Sequence, residues 1–135
     1  MTRKLLDTTF LIHHWGGHDD VAAYLESQPE GTSYLTTTLN LKEIAVGRQL
    51  VGKFDAAEIR RQFEWVETVP ITASIAWEIA ALEAPLYADD DVQGDRINSL
   101  AIDAVVAGAA VELDATIVTK NDADFDALDV PVESY

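Results

Sequence analysis

Three short runs of apolar and β-branched residues stop abruptly at a hydroxyl or an acid, and this constrains the chain more than any other feature. Leu5-Leu6 halts at Asp7, Ser33-Tyr34-Leu35-Thr36-Thr37 runs into a segment of helical period, and Thr116-Ile117-Val118 halts at Thr119. Short runs of this kind suit buried strands. Between them the spacing predicts helices over Thr8–His14, Asp19–Ser27, Leu39–Leu50, Asp55–Glu67, Thr72–Tyr87 and Ser99–Leu113. Gly16-Gly17, Pro29, Gly31 and Gly52 punctuate them. Val69-Pro70-Ile71 and Val130-Pro131-Val132 read as short extended segments, the latter an edge strand where proline is tolerated, and Ala88–Asp95 as an acidic loop. Strands alternating with helices predict an α/β fold, three layers deep, with a mainly parallel central sheet flanked by helices. Working groups in such a sheet gather beyond the carboxyl ends of the strands.

The 135 residues fit one domain, residues 1–135, with no repeat or linker. Without cysteine, thiol catalysis, disulfides and cysteinyl zinc sites are excluded. The longest nearly apolar stretch, Leu100–Leu113, carries Asp103 and Glu112 and is too short to span a bilayer, and Met1–Asp7 is no signal peptide. A soluble, cytoplasmic protein with no membrane partner is therefore expected.

Charge runs against the usual pattern of nucleic-acid binders: 24 Asp+Glu stand against 9 Lys+Arg, a formal net of −15. With 48% hydrophobic residues this is no disordered acidic tail. An acidic partner-facing surface is one reading. A halophilic surface, kept soluble by carboxylates, is the favoured one. In roughly 1 M salt the Debye length is about 3 Å, so an RNA substrate is compatible with this charge.

Asp7 stands at the end of the first strand, where an acid could simply cap the following helix. Glu43 follows Asn40-Leu41-Lys42, and a capping box with Glu43 reaching back to Asn40 would account for it. Asp103 is harder to explain structurally, because it is the only charge from Leu100 to Val111 on a helix expected to be packed on most sides. A buried acid needs a cation, a basic partner or a proton. With few basic residues to hand, a metal ion fits that role. Thr119-Lys120-Asn121-Asp122-Ala123-Asp124-Phe125 follows a buried strand and so falls at the same sheet edge as Asp7, either as site residues or as a solvated turn capping a short helix. An oxygen-only set of acids suits Mg2+ or Mn2+ and phosphodiester hydrolysis.

In order along the chain, Leu5–Ile12, Leu41–Gly47, Asp103–Ala109 and Ile117–Phe125 resemble the motifs of the PIN domain family over nearly the whole sequence. The resemblance implies a metal-dependent endoribonuclease acting on single-stranded or structured RNA, with Mg2+ or Mn2+. Asp7, Glu43 and Asp103 fall on the family's acids, with Asp7 and Asp103 holding the metal. Thr8 and Thr119 fall on supporting hydroxyl positions. Where the family often has aspartate, this chain has Asn121, which leaves the fourth acid between Asp122 and Asp124; Asp122 is preferred for its nearness to the strand end. The length resembles the VapC-type toxins, which implies a small antitoxin partner and a homodimer. Arg48 and Lys120 are phosphate contacts or ordinary surface charges.

Other features carry less. His13, His14 and His18 match no zinc spacing, and Trp65 and Trp77 sit in helical patterns expected to be core or interface. A receiver-type phosphoacceptor domain would need an acidic pair at the first strand and a central-strand aspartate, whereas Asp7 stands alone and Asp55 begins a helix. A haloacid-dehalogenase-like phosphatase would need an acid where Thr9 stands. A catalytically silent PIN module is the remaining alternative.

Overall fold

The computed structural model describes residues 2–89 and 94–135. The chain runs β1 (Arg3–Leu6), α1 (Thr8–Trp15), α2 (Asp19–Ser27), β2 (Ser33–Thr37), α3 (Thr38–Leu50), α4 (Ala56–Gln62), β3 (Glu67–Val69), α5 (Ala73–Ala88), α6 (Gly94–Leu113), β4 (Thr116–Val118), α7 (Asp122–Asp126) and β5 (Val132–Glu133). The five strands form one sheet in the order β3-β2-β1-β4-β5, and every pairing is parallel.

Alternation along the strands builds the three layers. Leu5, Leu35 and Ile117 point to one face and pack with Ile75, Leu86, Leu100, Val106 and Phe125 of α5, α6 and α7. Leu6 and Val118 point to the other and pack with Phe10, Leu11, Val21, Tyr24, Ile44 and Ile59 of α1 to α4. A period of two in side-chain direction is what lets so short a strand serve two cores. Among the described residues, no helix is long and apolar enough to cross a membrane.

The expected elements are present, with shifted ends. The helix expected over Asp55–Glu67 stops at Gln62: Asp55 caps it, Phe63 closes it, and a turn carries the chain into β3, which begins at Glu67 rather than Val69. Phe63 and Val66 are both buried, so their spacing mimics a helix while a turn makes the contacts. Helix α6 begins at Gly94, five residues before the expected start, and the rest of the acidic segment lies in part outside the described residues. In α6, Gly108 lies against Ile79 of α5, so closely that a Cβ there would stand 2.5 Å from Ile79 Cγ1 and 2.9 Å from its backbone nitrogen.

One ion pair ties β1 to the far edge of the sheet. Lys4, buried on β1, donates to Glu133 Oε2 of β5 at 2.6 Å. Burial alone would raise the Glu133 carboxyl, but Lys4 and the Tyr24 hydroxyl together hold it below its ordinary value. A depressed carboxylate adds stability above the unfolded pKa and loses it as pH falls through the folded one. Glu133→Gln should therefore cost about 1 kcal/mol at neutral pH, a modest figure because the Glu133 side chain is 36% exposed. In thermal melts the gap between variant and parent should shrink once pH falls below the ordinary glutamate value of 4.5.

Candidate functional site

Sheet order places the site. The chain leaves β1 toward β2 on one side and leaves β4 toward β5 on the other, so β1 and β4 flank a topological switch point. Ligands bind in the crevice beyond the carboxyl ends of strands at such a point. Leu6 and Val118 are partners in the β1–β4 register. The next residues, Asp7 and Thr119, therefore emerge side by side at that crevice, and Thr119 Oγ1 donates to Asp7 Oδ2 at 2.5 Å.

Asp7 combines the two roles that the sequence offered as alternatives. Its Oδ1 accepts from Phe10 N at 2.9 Å, capping α1, while Oδ2 meets Thr119 at the pocket. The carboxylate is buried. Burial raises its pKa above the ordinary value, against the pull of the Thr119 and Phe10 hydrogen bonds and of His13, and nearby Glu43 adds to the rise. Thr119 is held in turn, since Asn121 N donates to its Oγ1 at 2.9 Å.

Glu43 does not form the expected capping box. The box at the start of α3 is made one turn earlier, by Thr37 and Asn40: Asn40 N donates to Thr37 Oγ1 and Thr37 N to Asn40 Oδ1, each at 3.2 Å. The strand's last residue supplies the cap, so Glu43 sits beyond its reach and is released to the pocket. There Thr8 Oγ1 donates to Glu43 Oε1 at 2.5 Å and accepts from Asn40 Nδ2 at 2.9 Å. Asn40 is 1% exposed. It thus locks the cap with its oxygen and the Thr8–Glu43 pair with its nitrogen. No local pattern signals this second role, because Thr8 lies 32 residues away.

A crevice of about 250 Å³ brings these groups together: Asp7, Thr8, Asn40 and Glu43 line it with Asp103, Asn121 and Asp124. None of the described residues lining it is basic. The helix of Asp103 is packed on most sides, as expected, hiding Ala104 to Ala110, while Asp103 itself is half-buried and lines the crevice. Asp7 comes from the sheet, Glu43 from one helical layer and Asp103 from the other, so three separate elements converge.

Asp122 is the residue that the structure does not bring to the crevice. It is exposed, opens α7, and accepts from Ser134 Oγ at 2.8 and 2.9 Å. Two residues on, a turn of some 200° along a helix carries Asp124 to the crevice wall instead. Lys120 is engaged elsewhere, paired with Asp20 and 4.8 Å from the Tyr135 ring centroid. Tyr135, which the sequence did not suggest, packs edge-on against Phe10 and bonds His13 Nδ1 at 3.0 Å, and burial with the nearby carboxylates of Asp7 and Asp20 pushes its hydroxyl pKa up. Trp77 is not core: it is 71% exposed on α5, whereas Trp65 is half-buried beside Tyr34 and His14.

Among the described residues, no three His, Asp or Glu groups are already disposed to enclose an ion. The donor set nevertheless has the chemistry of a hard-cation site: carboxylate, hydroxyl and amide oxygens, with no sulfur and no basic side chain among the described lining residues. Mg2+ retains several waters and takes only one or two carboxylates, so an open set of this kind suits it.

Fold and site together define an all-parallel α/β domain with a carboxylate crevice at its switch point. The chain belongs to the PIN domain family, whose model matches residues 4–131. Comparison with curated proteins finds no match. Among solved structures, the chain is similar to VapBC-1 from nontypeable Haemophilus influenzae (16% identity, 98% of each chain covered, TM-score 0.77). It is also similar to VapBC2 from Rickettsia felis, solved bound to a DNA fragment from the promoter (17% identity, 98% of each chain, TM-score 0.76). A toxin–antitoxin complex from Klebsiella pneumoniae shares the fold at 20% identity, covering 90% of this chain and 89% of that one, with a TM-score of 0.67.

Proposed function

We propose that the protein is a divalent-metal-dependent endoribonuclease and the toxin of a toxin–antitoxin pair. The observation that carries the reading is the convergence of Asp7, Glu43 and Asp103 from three elements on one crevice, with no basic side chain among the described residues that line it. The complexes among its structural neighbours support the toxin role.

Asp7 and Asp103 would hold Mg2+ or Mn2+, with Asp124 rather than Asp122 as the fourth acid and Asn121 beside it. The ion, when bound, acidifies a water and offsets charge on the phosphate. Thr119 keeps an Asp7 oxygen aimed at the crevice, and the Asn40–Thr8 pair fixes one Glu43 oxygen so that the other can orient a water for in-line attack. A bound cation would favour the ionised form of the buried Asp7, whose pKa is raised, so binding would be pH-dependent, with protons competing below the raised value. The acidic surface makes the halophilic setting part of this reading, so assays belong in high salt as well as low. A small antitoxin and a second copy of the chain are the proposed partners. The apolar helix α5, with Trp77 and Tyr87 exposed, is the face offered for the second copy.

The test is cleavage of mixed single-stranded RNA with Mn2+ by purified protein. Asp124→Asn should lower the rate about 10- to 100-fold, the scale of losing one supporting group at a metal site. Asp122→Asn should leave it within about twofold, because Asp122 faces Ser134. The reverse ranking would move the fourth acid back to Asp122, and no cleavage by any preparation, with intact folding, would sink the nuclease reading.

A further inference from the structure

A second cavity adjoins the acidic crevice and shares Glu43 with it. It measures about 380 Å³ and opens between α1 and α3, where Ile12, Trp15 and Ile44 give it apolar walls and Gly47 and Arg48 form its rim. The Arg48 guanidinium carbon stands 4.6 Å from the Trp15 ring centroid. Its Nε is buried without a hydrogen-bond partner, and its ion pair to Glu58 is loose at 3.5 Å. Arg48 therefore keeps donors in reserve.

Arg48 at the rim belongs to the most basic stretch of the chain, of which Lys42 and Arg60 line a separate groove beside Phe54. Residues 42–61 hold five of the nine Lys+Arg (Lys42, Arg48, Lys53, Arg60, Arg61) but only three of the 24 Asp+Glu (Glu43, Asp55, Glu58). In a protein of net charge −15, α3 and α4 are thus the one stretch suited to a polyanion. Splayed bases of single-stranded RNA stack on aromatic rings and on arginine planes, while the same arginines meet phosphates.

We propose that the cavity between α1 and α3 is a nucleobase subsite, receiving the base next to the phosphate held at the acidic crevice, with the stacked Trp15–Arg48 pair as the one wall on which the base lies and Arg48 donors for the adjoining phosphate. The inference rests on the RNA-cleaving reading of that crevice but is tested apart from it.

Gly47 supplies the test. A Cβ at this position meets nothing within 4 Å, so a side chain there enters open space without straining the helix. Gly47→Leu should fill the subsite while leaving the melting temperature unchanged or slightly higher, since glycine is a poor helix former. The measurement is equilibrium binding, without added metal, of labelled oligoadenylate and oligouridylate by fluorescence anisotropy. Gly47→Leu and Arg48→Gln should each weaken binding about 10- to 100-fold, the scale of one lost base stack. Parental affinity in a folded Gly47→Leu overturns the subsite, as does a Gly47→Leu variant that loses only binding of an antitoxin while keeping that of RNA. Loss of RNA binding in Gly47→Leu, combined with absence of cleavage by the parent protein, would instead leave the subsite standing and remove the nuclease reading.

Discussion

Replacing Asp7 by asparagine should sharply lower metal-dependent cleavage while leaving the protein as stable as before, or more so. The substituted amide keeps an oxygen for Phe10 N, so the cap on α1 survives. Thr119 Oγ1 can turn from donor to acceptor toward the new NH2 group, since a hydroxyl has two lone pairs. What is removed is a buried negative charge whose ionisation the fold opposes. A raised carboxylate binds protons more tightly in the folded state, so its cost to stability is absent below the ordinary value of 3.8, grows as pH rises to the folded pKa, and is constant above it. The gap between the melting temperatures of Asp7→Asn and parent should open over that window and then stay flat. Added Mn2+ should raise the parent's melting temperature, by mass action on the folded state, and leave the variant's unchanged. Activity should fall roughly 100- to 1,000-fold, the scale of removing one preorganised electrostatic group. A variant that melts well below the parent at neutral pH would mean that the charge serves the fold; a variant that still cleaves would mean that the chemistry lies elsewhere.

The same residue shows how far a sequence can be read. Asp103 stands out in the sequence because it interrupts an apolar helical pattern, whereas Asp7 and Glu43 read equally as helix caps and only the resemblance to the PIN motifs singles them out. The parallel sheet was legible from the apolar patterns, down to the bounds of β2, β4 and α2. What stayed hidden depends on partners distant in the chain. The Asn40 amide serves Thr37 three residues back and Thr8 on another element, and only the second bond tells that it supports the site. The choice between Asp122 and Asp124 turns on the rotation of a five-residue helix, which no internal period can set in so short a segment. Its rotation is fixed by burying Phe125 in the core, and that contact carries Asp124 inward and leaves Asp122 to Ser134. Periodicity alone carries α4 past Gln62, because Phe63 and Val66 satisfy a helical spacing from within a turn.

The largest effect on folding is expected at a residue that touches none of the site. Gly108→Ala should destabilise the protein by about 3 kcal/mol, at the upper end of overpacking costs, because two of the three closest atoms belong to the Ile79 backbone. A side-chain tip can rotate away; a nitrogen 2.9 Å and a Cα 3.1 Å from the new methyl can yield only if α5 itself moves. The pair α5–α6 carries most of one core layer, including Ile75, Leu86, Leu100, Ala104 and Val106, so a shift of α5 loosens all of them. The site feels it through α6, which presents Asp103 five residues before Gly108, more than one helical turn away. Ile79→Ala removes the nearest atom, Cγ1 at 2.5 Å, but not the backbone contacts. In a double-mutant cycle followed by urea unfolding, Ile79→Ala should therefore recover part of the Gly108→Ala cost, about 1 kcal/mol of favourable coupling, and never the whole. Full recovery would show that only the side chains collide and that the helices have room to adjust. No recovery would show that the backbone contact alone sets the distance between α5 and α6, and with it the place of Asp103 at the crevice.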